Sequence, residues 1–299
     1  MSGAHHISRG AAGACLLLTA LFLPACGSSK KSTSTGSSSS SSQGTLALSI
    51  TESGGAARYT GPTSIKGGLV TMTLKNEGKQ PHTAQLVLLK GNHTAADALK
   101  EIEGNSNKTP SWLRAAGGVG LTPPGQSSSS TVLLAAGHYA VLEIPSGAGP
   151  PSGKPAVQDL QVTAGSPGSL PSTATTVTAA AEGKDKYKWQ ISGSLAPGAN
   201  RVTFASKGHD TLHLITAVQI TGNPSKEQLI KALSSNGPPP AFVKVQTSTE
   251  TAALDSGQST VAQLNLAGPG RYLLFCPLTD RDGGKPHFQE GLLTTVTVK

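Results

Sequence analysis

Beyond residue 44 the apolar positions fall into short runs broken by Gly, Pro and Ser, as in GLVTMTLKN (68–76), AQLVLL (84–89), STVLLAA (130–136) and HYAVLEI (138–144). Such runs, β-branched or alternating and bounded by turn residues, predict strands. Two stretches break this rhythm. Ala98, Leu99 and Ile102, and likewise Leu229, Ile230 and Leu233, recur at helical spacing and put one apolar stripe on a helix. Thr94 followed by Asp97, and Ser225 followed by Gln228, predict capping boxes at the start of each helix. Gly104, and Gly237 with Pro238-Pro239-Pro240 behind it, predict the ends.

The pattern occurs twice. PHTAQLVLLKGNHTAADALKEI (81–102) aligns without gaps on LHLITAVQITGNPSKEQLIKAL (212–233). Gly125-Gln126-Ser127 then matches Gly257-Gln258-Ser259, Gly137-His138-Tyr139 matches Gly270-Arg271-Tyr272, and Gly153-Lys154-Pro155 matches Gly284-Lys285-Pro286. Matches kept in one order mark a duplication rather than shared composition. The expected division is 45–163 and 174–299, joined by a Pro/Gly/Ser-rich linker at 164–173. Each copy is long enough for a β-sandwich core, and with 4% aromatic residues that core must be mostly aliphatic.

The N-terminus has a different character. Arg9 precedes an apolar run from Ala11 to Leu23, which reads as an export signal over 1–26. It ends in Leu23-Pro24-Ala25-Cys26, which resembles a bacterial lipoprotein lipobox; that implies lipidation (palmitate) at Cys26 and an exported chain anchored to the outer face of the cytoplasmic membrane or cell envelope. Residues 27–44 are nearly all Ser, Gly, Thr and Lys and form a flexible tether with a reach of about 25 Å. The net charge of +8 is spread thinly, with no Lys/Arg cluster interleaved with aromatics, so nucleic acid is not an expected partner.

Of three cysteines, Cys15 leaves with the signal and Cys26 carries lipid, which leaves Cys276 without a disulfide partner in an exported protein. Metal ligation is the leading explanation for such a thiol. In Tyr272-Leu273-Leu274-Phe275-Cys276, strand alternation puts Tyr272, Leu274 and Cys276 on one face. His287 follows in a Pro- and Gly-rich loop, and His213 begins the strand LHLITAVQI. A thiolate with two imidazoles suits copper.

Here the chain resembles the cupredoxin family of plastocyanin-like blue-copper proteins. The strand G270-R-Y-L-L-F-C276 fits the family's GxYxFxC pattern, His287 fits its loop His, and ASKGHDTLH (205–213) fits its upstream turn. The resemblance implies an all-β fold with one short helix inserted per repeat, as two tandem cupredoxin-like Greek-key β-sandwiches. It implies one type-1-like copper, in the second copy, held by His213, Cys276 and His287. Leu292 stands where an axial Met is expected, which implies three-coordinate copper with a raised potential; Gln289 is a weaker axial candidate. The first copy has Glu143 at the Cys position and Ala156 at the loop His position, so no copper is expected there and His82 reads as a surviving structural or surface histidine. His209 is expected at the surface, and Asp280, Arg281 and Asp282 in a solvated turn.

The functional expectation is one-electron transfer or copper binding outside the membrane, with a redox protein as partner. The alternative is a metal-free envelope binding module. The chain is not expected to be an enzyme: Cys276 is flanked by Phe275 and Pro277, no His-x-His occurs, and neither a GxSxG nor an HExxH motif is present.

Overall fold

The computed structural model describes residues 44–104, 108–144, 153–235 and 237–299. The export signal, Cys26 and the tether as far as residue 43 lie outside the described residues. The first copy runs β1 (Gly44–Ser53), β2 (Ala56–Thr60), β3 (Ser64–Lys66), β4 (Gly68–Asn76), β5 (His82–Leu89), α1 (Ala95–Glu103), β6 (Leu113–Thr122), β7 (Ser127–Leu134), β8 (Gly137–Leu142) and β9 (Val157–Thr163). The second runs β10 (Thr175–Gly183), β11 (Lys186–Ser192), β12 (Gly198–Lys207), β13 (Leu212–His213), β14 (Thr216–Ile220), α2 (Lys226–Ser234), β15 (Val243–Glu250), β16 (Leu254–Asp255), β17 (Ser259–Leu266), β18 (Gly270–Phe275) and β19 (Leu293–Val298). Among the described residues the fold is thus mostly β with two short helices, neither of them long and apolar enough to cross a membrane.

Both capping boxes form. Thr94 accepts from Asp97 N and Ser225 from Gln228 N, with the reciprocal bonds back to each cap backbone. Each box satisfies N–H groups that a helix start leaves bare, which is worth about 1 kcal/mol. Helix α1 covers Val87, Leu89, Ala140 and Leu142 with Ala95, Ala98 and Leu99. Helix α2 covers Val218, Ile220 and Leu273 with Leu229.

Strand order repeats between the copies. The run β2-β1-β4-β7 of the first recurs as β11-β10-β12-β17, and β6-β5-β8-β9 as β15-β14-β18-β19. The expected pair of separate tandem Greek-key sandwiches is nevertheless not what the sheets form. Strand β17 pairs antiparallel with β7 (Thr260 with Val132, Val261 with Thr131), making one eight-stranded sheet through both copies. Strand β16 pairs with β6 at Leu254–Ala116, so β13 and β16 extend a sheet of the first copy. The physical reason lies at the edges: each copy ends in a strand with unpaired backbone groups, and pairing one edge with the other satisfies both. Gln85 adds to the seam, accepting from Ala253 N at 2.7 Å and donating to Ala253 O at 3.1 Å. The described residues accordingly form one compact unit.

Two principal cores lie inside it. The first-copy core gathers Leu46, Ile50, Met72, Leu74, Leu86 and Leu160. The second gathers Phe204, Ile215, Leu264, Tyr272, Leu274, Cys276 and Leu292. The alternation read along 272–276 holds: Tyr272, Leu274 and Cys276 enter this core, whereas Leu273 turns to the opposite face under α2.

Candidate metal centre

Strand β18 delivers Cys276 at its end. The Cys276 N–H donates to Leu292 O (3.1 Å) and its carbonyl accepts from Phe288 N (3.0 Å), so the residue is held from both sides. The loop then folds back, His287 N donating to Leu278 O and Leu292 N to His287 O, each at 2.8 Å. Gly291 is required at φ +124°, because a Cβ there would stand 1.9 Å from Tyr187 O.

His213 arrives from the other side by a broken strand. The first copy runs continuously through β5, but its counterpart divides into β13 and β14, with Leu214 and Ile215 between them. The break frees the Leu214 N–H, which points at Cys276 Sγ at 3.5 Å. Ile215 N is taken by Thr251 Oγ1 at 3.0 Å.

The three side chains meet, all fully buried. His213 Nδ1 lies 3.1 Å from His287 Nδ1, and Cys276 Sγ lies 3.6 Å from the same nitrogen. One donor atom from each residue falls within 4.8 Å of the others. With metal–nitrogen bonds of about 2.0 Å and metal–sulfur bonds of about 2.3 Å, donors around one ion stand on the order of 3–4 Å apart. The spacing fits a trigonal set.

The hydrogen-bond network makes the same point. His287 Nε2 faces the Asp280 carboxylate at 3.2 Å and Thr211 Oγ1 at 3.4 Å. A carboxylate only accepts, so Nε2 carries the proton and Nδ1 presents its lone pair to the cluster. His213 Nε2 is buried with no partner. If His213 donates from Nδ1, that bare Nε2 stays unsatisfied; if Nε2 carries the proton, two lone pairs face each other at 3.1 Å. Either arrangement leaves a deficit of about 1–3 kcal/mol. A cation held by His213 and His287 would turn the facing lone pairs into ligation.

Burial sets the protonation states. It pushes the Cys276 thiol up to about 12, against the backbone N–H groups of Leu214 and Leu278. Burial, reinforced by the neighbouring His287, pushes His213 down to about 3. Burial also lowers His287, although Asp280 opposes it. By themselves the three groups are neutral, a protonated thiol with two neutral imidazoles, and a bound cation would supply the charge that lets the thiolate form.

The surroundings hold residues that sequence reading missed. Tyr187 lies against both rings, with centroids 5.0 Å from His213 and 4.8 Å from His287, and its hydroxyl donates to Asp280 Oδ1 at 2.7 Å. Burial tends to raise Asp280, but Tyr187, Thr211 and His287 hold it below the usual carboxylate range. Nothing in the pattern marks Tyr187; for Asp280 the one available signal is its place in the loop before His287. Glu290 also has a donor atom within 4.8 Å of Asp280 and His287, but Asp280 is already engaged by Tyr187 and the His287 ring.

The Asp280–Arg281–Asp282 turn is corrected in part. Asp282 is exposed, whereas Arg281 is buried and binds the Asp255 carboxylate and, at 3.1 Å, Asp210. The reason is the seam: Arg281 also reaches Pro110 O and Leu113 O of the first copy. Leu292 is buried in the same core as Cys276, while Gln289 turns outward to Ser234 Oγ at 3.0 Å. His209 is exposed. His82 is buried, between Glu143 and Glu52, so it is structural rather than superficial.

No family model matches the chain, and no curated protein does. Solved structures that it resembles include a multicopper oxidase (16% identity, 85% of this chain and 88% of that one, TM-score 0.25). Auracyanin A, a "blue" copper protein from Chloroflexus aurantiacus, aligns with 40% of this chain and 99% of its own (16% identity, TM-score 0.28). A copper-containing nitrite reductase from Thermus scotoductus aligns with 86% of this chain and 61% of its own (13% identity, TM-score 0.23). These neighbours overturn one expectation. The oxidase and the reductase are enzymes, so the exclusion of catalysis drawn from sequence motifs is withdrawn. At these scores the likeness gives no role to any residue, and the site's chemistry is read from its own donors.

Proposed function

We propose that His213, Cys276 and His287 hold one copper ion in a type-1-like site, and that the protein moves single electrons outside the cytoplasmic membrane. The observation that carries this reading is the convergence of two imidazole Nδ1 atoms and one thiol at 3.1 and 3.6 Å in a fully buried pocket. Copper bound there would supply one-electron redox chemistry. The chain's own residues do the rest. Core packing around Cys276 and Leu292 keeps the donors in place and water out. The N–H groups of Leu214 and Leu278 favour the thiolate once its proton has left. Asp280 fixes the tautomer and orientation of His287. Leu292, buried in the same core as Cys276, would bring no donor atom to the ion.

In this reading each copy is a cupredoxin-like Greek-key unit, supported by the repeated strand order, and the two are joined through their edges. The first holds no copper. Lipidation at Cys26 would anchor the protein to the envelope, and the tether would raise its effective concentration near a membrane-bound redox partner.

The test is a visible spectrum of the full chain titrated with Cu(II), beside Cys276→Ser. An intense thiolate-to-copper band, absent from the variant, is expected. A colourless protein that does not retain copper would sink the proposal and leave the metal-free envelope binding module.

A further inference from the structure

A cavity of about 240 Å³ lies between the two copies, beside the proposed metal centre. Its wall is mainly apolar, with Val87, Ile102, Leu113 and Ile144 from the first copy and Leu214 and Leu278 from the second. Most polar side chains on it are engaged. The Gln85 amide donates to Leu86 O, Gly117 O and Ala253 O. The Thr83 and Thr251 hydroxyls bond backbone groups, and Glu101 and Lys108 have partners of their own. Glu250, at the end of β15, differs. Its carboxylate has no hydrogen-bond or ion-pair partner among the described residues.

We propose that this cavity binds a small, largely apolar molecule whose single hydrogen-bond donor meets the Glu250 carboxylate. An apolar cavity of about 150 Å³ already holds benzene, so this one accommodates a fused bicyclic ring. Glu250 is half-buried, and a carboxylate beside apolar walls is less well solvated than one in open water, so a ligand donor supplies a bond that no described residue makes. Burial raises Glu250 to about 7, so above that pH the group is a pure acceptor and selects a donor.

The site is also wired to the metal centre. Leu214 N donates to Cys276 Sγ, and Leu278 O accepts from His287 N, so an occupant pressing on these two residues reaches both proposed ligands.

Calorimetric titration of the full, metal-free chain at pH 8 with indole, and with its hydrocarbon isostere indene, tests the proposal. Indole should bind saturably at one site, and indene roughly tenfold more weakly because it lacks the N–H. Glu250→Leu should bring the two affinities together, and Ile102→Trp, which fills the cavity, should abolish both. Failure of indole to saturate the wild type, or an affinity that neither variant moves, overturns the proposal. If Glu250→Leu does not fold, Ile102→Trp decides alone. A shift of the copper–thiolate band on adding indole would test the link to the metal centre separately. That readout rests on the copper reading; calorimetry on the metal-free chain does not.

Discussion

His82 donates from Nδ1 to Glu143, the residue that stands in the first copy where Cys276 stands in the second. The other ring nitrogen reaches Glu52 Oε1 at 2.8 Å, and Glu143 Oε2 accepts from Ala156 N at 2.8 Å, Ala156 being the counterpart of His287. The two copies thus fill one structural position with different chemistry. A charged imidazole between two carboxylates closes the first by internal pairing, and three converging donors leave the second able to take a cation.

The first-copy triad predicts a pH-dependent contribution to stability. Burial tends to lower His82, but Glu143 and Glu52 outweigh it and raise His82 above its ordinary value. The folded state therefore holds the proton more tightly than the unfolded chain. The stabilisation is fully present below the unfolded value of about 6.5 and is lost as pH rises through the higher folded value. Unfolding free energies from denaturant titration of wild type and His82→Gln should differ most below pH 6, by on the order of 1.5–3 kcal/mol, and converge in alkali. Taking the difference cancels the contributions of His213 and His287, which run the other way. A gap that does not narrow with pH would contradict this account.

Asp280 should matter to metal affinity without being a ligand. Asp280→Asn removes the pure acceptor at His287 Nε2 and frees the ring to protonate at Nδ1 instead. Outer hydrogen-bond partners of this kind are worth about 10–100-fold in affinity. Competition titration with a copper chelator should show a loss in that range while the folded spectrum is kept. Unchanged affinity would mean that packing against Tyr187 alone orients His287.

Arg281 ties the loop between Cys276 and His287 to the seam between the copies. Its guanidinium meets the buried Asp255 carboxylate and also binds Leu113 O at 3.0 Å, while its carbonyl accepts from Thr109 N at 2.8 Å. Arg281→Ala leaves the buried Asp255 carboxylate with only the longer contact to Arg114 at 3.7 Å and should cost about 3 kcal/mol in chemical denaturation. The double variant Arg281→Met, Asp255→Leu should recover much of this, because no charge is then left without a partner. Equal losses in both variants would place the effect in packing rather than in the pair.

Local features were legible along the chain because they depend on near neighbours. Thr94 with Asp97 and Ser225 with Gln228 specify the helix starts through bonds that span three residues. The period of two along 272–276 puts Tyr272, Leu274 and Cys276 on one face whatever surrounds them. Ordered matches were visible along the chain, and the strand order is alike in the two matching stretches.

Contacts between distant segments were not legible, since no local period encodes them. Pairing of β7 with β17, which joins the sheets, depends on two edges meeting and shows in neither strand's composition. Tyr187 approaches His213 and His287 only because β11 passes under the loop that closes on Gly291. The Arg281 turn reads as solvated in isolation and becomes buried once the first copy covers it. For the site itself, the sequence supplied the donor types and a reason to suspect a lone thiol. Their approach to 3.1 and 3.6 Å was decided by the tertiary fold, because only packing of the whole second core brings β13 and the loop after β18 to one point.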